Sequence, residues 1–170
     1  QTRGIVYASQ GNRLIKTTNN GQNWNQIYID SRPSADINQI RVNPLNANQL
    51  YLGLATGELV MSQDGGVKWQ IINEFGLPLV EVLVNPRNTN NLFVATPNNG
   101  IWTSFDAGLS WQNLLENYKE FKKADDEQKV VEVWNDVFME YNKTPRSSDS
   151  KIAAIRGGFR TAATFLWLIR

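Results

Sequence analysis

The chain has 170 residues and an almost balanced charge, with 17 lysine and arginine residues against 16 aspartate and glutamate residues. A formal charge of +1 gives no global basic field of the kind that nucleic-acid-binding proteins use, so we expect no nucleic-acid partner. The lack of cysteine excludes disulfides and thiol chemistry, and the lack of histidine excludes a Ser-His-Asp site and disfavours a zinc site.

The sequence leaves the compartment open, because a cysteine-free chain suits either side of a membrane. The chain begins at Gln1, which we interpret as a processed or excised N-terminus, and our working expectation is a location outside the cytoplasm. No apolar run reaches the roughly 18 residues that a membrane-spanning helix needs, so we do not expect a membrane partner.

The first unit of the chain predicts three short strands. Residues 4–8 and 14–17 are rich in β-forming side chains, and residues 24–29 alternate in the period-2 pattern of a half-buried strand. Between the last two strands lies the polar segment Thr17-Thr18-Asn19-Asn20-Gly21-Gln22-Asn23-Trp24. Residues 30–36 are polar and contain a proline, which predicts a loop.

The second unit predicts four strands, and the third unit repeats their order. The second has strands at 37–42, 50–55, 58–62 and 68–72, with an Asn-Pro turn at 43–48 and the segment Ser62-Gln63-Asp64-Gly65-Gly66-Val67-Lys68-Trp69. The third has strands at 79–84, 92–96, 101–104 and from 111 onward, with an Asn-Pro loop at 85–90 and the segment Ser104-Phe105-Asp106-Ala107-Gly108-Leu109-Ser110-Trp111. The first unit lacks a counterpart of the opening strand.

The three eight-residue segments share one pattern, and we call them turn 1 (17–24), turn 2 (62–69) and turn 3 (104–111). Each has a hydroxyl residue, an aspartate or asparagine two positions on, a glycine two further and a tryptophan three further. The tryptophans recur at intervals of 45 and 42 residues, a spacing typical of one small sheet per unit. The residues of the pattern are Thr17, Asn19, Gly21, Trp24, Ser62, Asp64, Gly66, Trp69, Ser104, Asp106, Gly108 and Trp111.

We predict a structural role for these turns. A carboxylate such as that of Asp64 or Asp106 can accept backbone N–H groups inside the turn, as in Asx-turns. Gly66 and Gly108 are expected at positive φ, and each tryptophan is expected to pack over its own turn. The amide of Asn19 can form the same bonds without a charge. Contact with an ion or a glycan is the alternative role.

These turns, with the Asn-Pro loops 18 residues upstream of turns 2 and 3, resemble the Asp-box (bacterial neuraminidase, BNR) repeats of β-propellers. Similar repeats occur in sialidases, sortilin-type receptors, xyloglucan-cleaving endoglucanases and photosystem II assembly factors. The resemblance covers residues 4–114 and implies four-stranded blades with the turns at the periphery, away from the ligand face. The resemblance is specific for the fold but says little about function, because many unrelated activities share it.

Three blades are fewer than the four to eight that close a propeller. We therefore expect either a piece of a larger propeller or an incomplete propeller that another chain completes, since open sheets leave exposed edges. A pair of three-bladed units closing into six blades is one form of the second alternative. The fold class predicted for the chain is mainly β, with about three blades and a helical tail.

The composition changes after residue 114, which divides the chain into a propeller region (1–114) and a tail (115–170). The tail shows apolar helical stripes that predict two or three helices, and it resembles no family known to us. Its first part, 115–140, has a net charge of −4, and its second part, 141–170, has a net charge of +5. The basic part could pack on the acidic part, dock in an acidic partner groove or lie on an anionic membrane.

The function that the sequence favours is a non-enzymatic interaction or assembly module, whose open sheet edges contact a protein partner or a second copy. A glycan ligand is a further alternative. Another class of protein is a fragment of a carbohydrate-active enzyme with its catalytic acids outside this chain, because glycoside hydrolysis needs two positioned acids. The acids of the propeller region outside the turns are Asp30, Asp36, Glu58, Glu74 and Glu81. We predict no catalytic, cofactor-binding or metal-binding residue.

Overall fold

Eleven β-strands in three antiparallel sheets form the part of the chain that the structure, a computed structural model, describes, residues 4–114. The strands are β1 (Val6–Gln10), β2 (Arg13–Thr17), β3 (Asn25–Ile29), β4 (Ile37–Asn43), β5 (Asn46–Leu54), β6 (Glu58–Ser62), β7 (Gln70–Glu74), β8 (Glu81–Val84), β9 (Leu92–Ala95), β10 (Ile101–Ser104) and β11 (Gln112–Asn113). The predicted helical tail and the predicted division at residue 114 concern residues outside this range.

Each sheet is a meander in which strands that follow one another in sequence are hydrogen-bonded neighbours. Sheet 1 has the order β1-β2-β3, sheet 2 the order β4-β5-β6-β7 and sheet 3 the order β8-β9-β10-β11. Within residues 4–114 the sheets therefore have three, four and four strands. This arrangement agrees with the predicted order of strands, including the missing opening strand of the first unit.

The registers of the three sheets are equivalent, and the first residues of the turns define them. Thr17 pairs with Val6, Ser62 pairs with Leu50, and Ser104 pairs with Leu92. Strand β1 thus corresponds to β5 and β9. The strands that pair with the other edges of β5 and β9, namely β4 and β8, have no counterpart in sheet 1 among the described residues.

The turn between β4 and β5 is tighter than the sequence predicted. The predicted turn over 43–48 becomes a two-residue connection, because Asn43 and Asn46 still pair across the two strands. The Asn43 side-chain oxygen accepts the N–H groups of Leu45 (2.9 Å) and Asn46 (3.2 Å) and so closes the turn locally. The corresponding connection of sheet 3 is longer, running from the end of β8 at Val84 to the start of β9.

The apolar core lies between neighbouring sheets rather than within one of them. One cluster joins sheets 1 and 2, and a second joins sheets 2 and 3. The fully buried leucine and valine side chains are Leu14, Leu50, Leu52, Leu54, Leu59, Leu79, Leu92, Val60, Val82 and Val94. Gly53 permits the close approach of sheets 2 and 3, because a Cβ there would lie 3.0 Å from Val82 Cγ2 and 3.1 Å from Leu79 Cβ.

Three buried side-chain polar atoms have no hydrogen-bond partner among the described residues: Tyr51 Oη, Trp102 Nε1 and Thr103 Oγ1. The Tyr51 ring is fully buried between sheets 2 and 3, and its hydroxyl has no hydrogen-bond partner among the described residues. Burial raises the pKa of this hydroxyl to about 12. The equivalent position of sheet 3 is occupied by Phe93, and that of sheet 1 by Tyr7.

We predict that Tyr51→Phe raises the free energy of unfolding by about 1 kcal/mol, because it removes a buried hydroxyl without changing the packed ring. Urea unfolding of the two proteins measures the difference. Tyr7→Phe is the matched control; its side chain is only partly buried, and we expect a change within about 0.5 kcal/mol. A loss of stability in Tyr51→Phe would show that the hydroxyl has a partner.

Candidate functional site

The hydroxyl residue that opens each turn is buried and makes the same two hydrogen bonds. In turn 2, Ser62 Oγ donates to Asp64 Oδ1 (2.9 Å) and accepts from the Gly66 N–H (2.9 Å). The same bonds measure 2.7 and 2.8 Å in turn 3 and 2.9 and 3.0 Å in turn 1. The hydroxyl therefore fixes the glycine of the turn at the end of the preceding strand.

The acid or amide of each turn accepts hydrogen bonds from the residues that follow it. Asp64 Oδ1 accepts the Lys68 N–H (2.8 Å), and Asp106 accepts the N–H (2.9 Å) and hydroxyl (2.5 Å) of Ser110. The Ser110 hydroxyl is the largest cause of the lowering of the Asp106 pKa to about 2, and the Lys68 N–H is the largest cause of the lowered pKa of Asp64. In turn 1 the amide oxygen of Asn19 accepts one backbone N–H (2.9 Å).

The glycines adopt the left-handed backbone that the turn requires. Gly21, Gly66 and Gly108 have φ values of 88°, 98° and 94°. The residue before each of them is also left-handed, and in turn 3 this residue is Ala107, with φ 61°. Two consecutive left-handed residues reverse the chain direction, and only the second is always glycine.

A backbone contact that the sequence did not indicate braces turns 2 and 3. The N–H of Gly65 donates to Asn48 O, and that of Ala107 donates to Asn90 O, both at 2.8 Å. Asn48 lies near the start of β5, shortly after the first Asn-Pro motif, and Asn90 lies in the connection between β8 and β9. The Asn-Pro loops and the turns are thus neighbours within each sheet, which explains why the two motifs recur together.

The tryptophan of each of the last two turns folds back over its own glycine. The indole Nε1–H of Trp69 donates to Gly66 O, and that of Trp111 donates to Gly108 O, both at 3.1 Å. Trp69 also donates to Ile27 O (2.9 Å), which lies in sheet 1. This second bond crosses from one sheet to the next.

The Gly-Trp corners of turns 2 and 3 each pack on the outermost strand of the preceding sheet. At junction 1, between sheets 1 and 2, a Cβ atom added at Gly66 would lie 2.6 Å from Ile27 Cδ1. The ring centroids of Trp69 and Tyr28 lie 5.2 Å apart.

At junction 2, between sheets 2 and 3, a Cβ atom added at Gly108 would lie 2.8 Å from Ile72 Cδ1. The ring centroids of Trp111 and Phe75 lie 5.1 Å apart. Ile27 and Ile72 each stand three residues after the tryptophan of their own turn.

Turn 1 has no such neighbour within residues 4–114. A Cβ atom added at Gly21 would contact only atoms of Trp24, at 3.9 Å. The Trp24 side chain is 41% exposed. The other two tryptophans are less exposed because each rests on a preceding sheet. Among the described residues, the Gly21–Trp24 corner is therefore the one copy of this surface that no other sheet covers.

Two acids outside the turns share one arginine. Arg32 forms ion pairs with Asp30 (2.9 Å) and Glu58, and both carboxylates are largely buried. The Arg32 side-chain bond, with a further bond from the Tyr28 hydroxyl, lowers the pKa of Asp30 to about 2. Burial acts to raise the pKa of Glu58, but hydrogen bonds from Thr56 and Arg32 outweigh it, and the net direction is downward.

The remaining acids are dispersed. Glu81, at the start of β8, forms an ion pair with Arg41 of β4, which links the first strands of sheets 2 and 3. Asp36 is exposed just before β4, and Glu74 is exposed at the end of β7. Among residues 4–114 no group of three or more acidic side chains could hold a metal ion, and no helix is long and apolar enough to cross a membrane.

No family model matches this chain, and no curated protein matches it. Solved structures do match. An ancestral GH74 enzyme superposes with a TM-score of 0.52 at 24% identity, over 64% of this chain and 16% of its own. The GH74 xyloglucanase from Xanthomonas campestris gives a TM-score of 0.53 at 16% identity, over 65% and 22%. YCF48 bound to D1 peptide superposes with a TM-score of 0.53 at 21% identity, over 66% of this chain and 38% of its own.

These similarities establish a propeller-type fold for the described residues. The three sheets, each a meander with its outermost strand against the next Gly-Trp corner, have the arrangement of neighbouring propeller blades. The chain spans between about a sixth and two fifths of the length of these structures. At these levels of identity the likeness is one of fold.

We predict that Ser104→Ala lowers the free energy of unfolding by about 1–2 kcal/mol, because the buried N–H of Gly108 loses its acceptor. Thermal or urea unfolding measures the loss. Ser9→Ala, at an exposed strand position, is the control and should change stability by less than about 0.5 kcal/mol. Equal effects of the two substitutions would contradict the role of the turn hydroxyl.

We predict that Arg32→Gln lowers the free energy of unfolding at pH 7, because two largely buried carboxylates lose their cation. The folded pKa of Asp30 is about 2, below its unfolded value of about 3.9. Its stabilising contribution is therefore complete above about pH 4 and is lost as the pH falls through 2.

The difference between the wild-type protein and Arg32→Gln should accordingly be largest near neutral pH and shrink as the pH falls from about 4 towards 2. Urea unfolding at several pH values measures it. Arg13→Gln, which removes an exposed arginine of β2, is the matched control and should show a small difference at every pH. A difference for Arg32→Gln that grows on acidification would refute the ion-pair account.

Proposed function

We propose that this chain is a non-enzymatic interaction or assembly module with a propeller-type fold, and that it contacts a protein partner or a second copy of itself. The observation that supports the proposal is the state of its acids. Three of the five acids outside the turns, Asp30, Glu58 and Glu81, are ion-paired with arginine. A side chain held in this way serves the packing of neighbouring sheets.

The chemistry of glycoside hydrolysis points the same way. A general acid for this reaction needs a carboxyl whose pKa is raised, so that it carries a proton near neutral pH. The pKa values of Asp30 and Glu58 are instead lowered. Neither carboxyl is suited to protonate a leaving group.

The twelve residues of the turns belong to this module as structural elements. We propose that the turns are Asp boxes and that their hydroxyl, acid or amide, glycine and tryptophan residues hold the sheets together. Supporting this are the buried hydroxyls and the contacts of Trp69 and Trp111 within their own turns. The polar atoms of the turns are already engaged by backbone groups, which leaves few of them for a ligand. The predicted helical tail over 115–170 would be a separate element of the module.

A protein or peptide partner is the class of ligand that we favour. YCF48, which has the same type of fold, has been solved with a bound D1 peptide. For the present chain, a partner of this class would use the sheet edges that the three sheets leave open, including the edge of β1 that lacks a neighbouring strand among the described residues. Backbone N–H and C=O groups along such an edge can pair with an added strand.

The second candidate is a fragment of a carbohydrate-active enzyme. Two observations favour it: the similarity to the GH74 xyloglucanase, and the exposed carboxylate of Asp36 beside the first strand of sheet 2. In this case the remaining catalytic groups lie in sheets outside this chain. A glycan would then be the ligand rather than a protein.

We predict that the purified chain releases no reducing sugar from xyloglucan above a buffer blank, and that the double substitution Asp36→Asn/Glu81→Gln leaves this result unchanged. Any xyloglucan-cleaving preparation that the double substitution inactivates would overturn the non-enzymatic proposal. The Arg13→Gln protein serves as the control for preparation and contamination. Colorimetric determination of reducing ends after prolonged incubation is the measurement.

A further inference from the structure

The sequence contains two Asn-Gly pairs, and each of them follows another asparagine. One pair is Asn20-Gly21 in turn 1, and the other is Asn99-Gly100 in the connection between β9 and β10. Asparagine followed by glycine is prone to deamidation, because glycine has no Cβ atom to hinder the approach of its backbone nitrogen to the asparagine side chain. Both asparagines are exposed, so access of water does not distinguish the two pairs.

Deamidation begins at the backbone nitrogen of the glycine. This nitrogen attacks the Cγ atom of the asparagine, the Cγ–Nδ2 bond breaks, and the amide leaves as ammonia with the proton of the glycine N–H. Water then opens the cyclic succinimide at either carbonyl and gives aspartate or isoaspartate, with no change of oxidation state. A hydrogen bond that holds the glycine N–H must break before the first step, and it therefore slows the reaction.

In turn 1 the attacking nitrogen is held by the buried hydroxyl that opens the turn. The Gly21 N–H donates to Thr17 Oγ1 at 3.0 Å, and Thr17 is fully buried. The asparagine of the pair is fixed as well, because the Asn20 N–H donates to Gly4 O at 3.2 Å. The same bonding that shapes the turn thus protects an exposed Asn-Gly pair.

In the connection between β9 and β10 the corresponding nitrogen is not held. Among residues 4–114 the Gly100 N–H has no hydrogen-bond acceptor, whereas the Gly100 carbonyl accepts the Thr96 N–H at 3.1 Å. The Asn99 carbonyl accepts Asn113 Nδ2 at 2.8 Å, which ties the connection to β11. The two Asn-Gly pairs therefore match in sequence and exposure and differ in the bond to the attacking nitrogen.

We propose that Asn99 is a deamidation site of the folded protein, and that the Thr17 hydroxyl protects Asn20 from the same reaction. Water is the co-reactant, and the site is independent of the proposed function. The product carries an added negative charge, and isoaspartate also lengthens the backbone by one carbon. Both changes fall beside the carbonyl that holds Asn113 of β11.

The first experiment compares the two sites within the wild-type chain. The folded protein and the protein in concentrated urea are incubated in mildly alkaline buffer, and peptide mapping by mass spectrometry measures aspartate and isoaspartate at both positions. In urea we expect similar rates, because both pairs have the sequence Asn-Asn-Gly and neither N–H is held. In the folded protein we expect Asn99 to react at least about fivefold faster than Asn20, the rate factor of one hydrogen bond that must break first.

The second experiment removes the protecting hydroxyl. Thr17→Val takes away the acceptor of the Gly21 N–H and should raise the rate at Asn20 at least about fivefold, with the rate at Asn99 unchanged. Thr18→Val, at the exposed threonine beside it, is the matched control and should change neither rate. A thermal melt establishes that each variant is folded at the incubation temperature. If Thr17→Val does not fold, the comparison of the two sites in the folded wild type decides.

Three results would contradict the proposal. The first is a rate at Asn20 in the folded wild type that equals or exceeds the rate at Asn99. The second is an Asn99 that reacts in urea and stays intact in the folded protein. The third is an equal rate at Asn20 in folded Thr17→Val and folded Thr18→Val, which would show that the hydroxyl does not protect the site.

Discussion

The packing of a Gly-Trp corner on an isoleucine of the preceding sheet is the contact on which the described structure depends. Each sheet is a small repeat unit that cannot bury its apolar face alone, and stacking neighbouring sheets buries a continuous core. The core clusters accordingly lie between sheets. Gly66 and Gly108 contribute by lacking a side chain, because any Cβ at these positions would overlap Ile27 or Ile72. Glycine is thus required both for its positive φ and for the space it leaves.

The hydrogen bonds of the turns make this contact reproducible. A hydroxyl buried at the end of one strand holds the glycine N–H, and the acid or amide two residues on holds the N–H of the residue before the tryptophan. The indole N–H then closes on the glycine carbonyl. Four of the eight residues of a turn therefore fix the position of the tryptophan ring, which is the surface offered to the preceding sheet. Turn 1 shows that an amide can replace the carboxylate in accepting the backbone N–H.

Local features of the structure could be predicted from the sequence, and long-range features could not. The strand order and the positive φ of Gly66 and Gly108 follow from patterns within about 45 residues. The tight connection after Asn43 was predicted too long, because its side chain satisfies two backbone N–H groups that a longer loop would leave to solvent. The ends of strands are the hardest feature to predict from a sequence pattern, because a single side-chain hydrogen bond decides whether strand pairing continues.

The contacts that join neighbouring sheets could not be predicted from the sequence, because they link residues that are far apart in the chain. Trp69 bonds to a carbonyl 42 residues earlier, and Arg32 bonds to a glutamate 26 residues later. Nothing in the spacing of Asp30, Glu58 and Arg32 distinguishes an ion-paired cluster from separate surface charges. The pairing of these acids emerges only when sheets 1 and 2 are placed side by side.

The packing of the sheets side by side changes the interpretation of the turn residues and of the acids between the turns. In sequence, a structural role is predicted for the aspartates and tryptophans of the turns, with ion or glycan contact as the alternative, and the acids between the turns show no pairing. In the structure, the turn aspartates accept backbone N–H groups, and Arg32 holds Asp30 and Glu58. Among residues 4–114, the Gly21–Trp24 corner of turn 1 is the one copy of this apolar surface that no preceding sheet covers. The turn tryptophans therefore act in packing between sheets rather than in binding through their polar atoms.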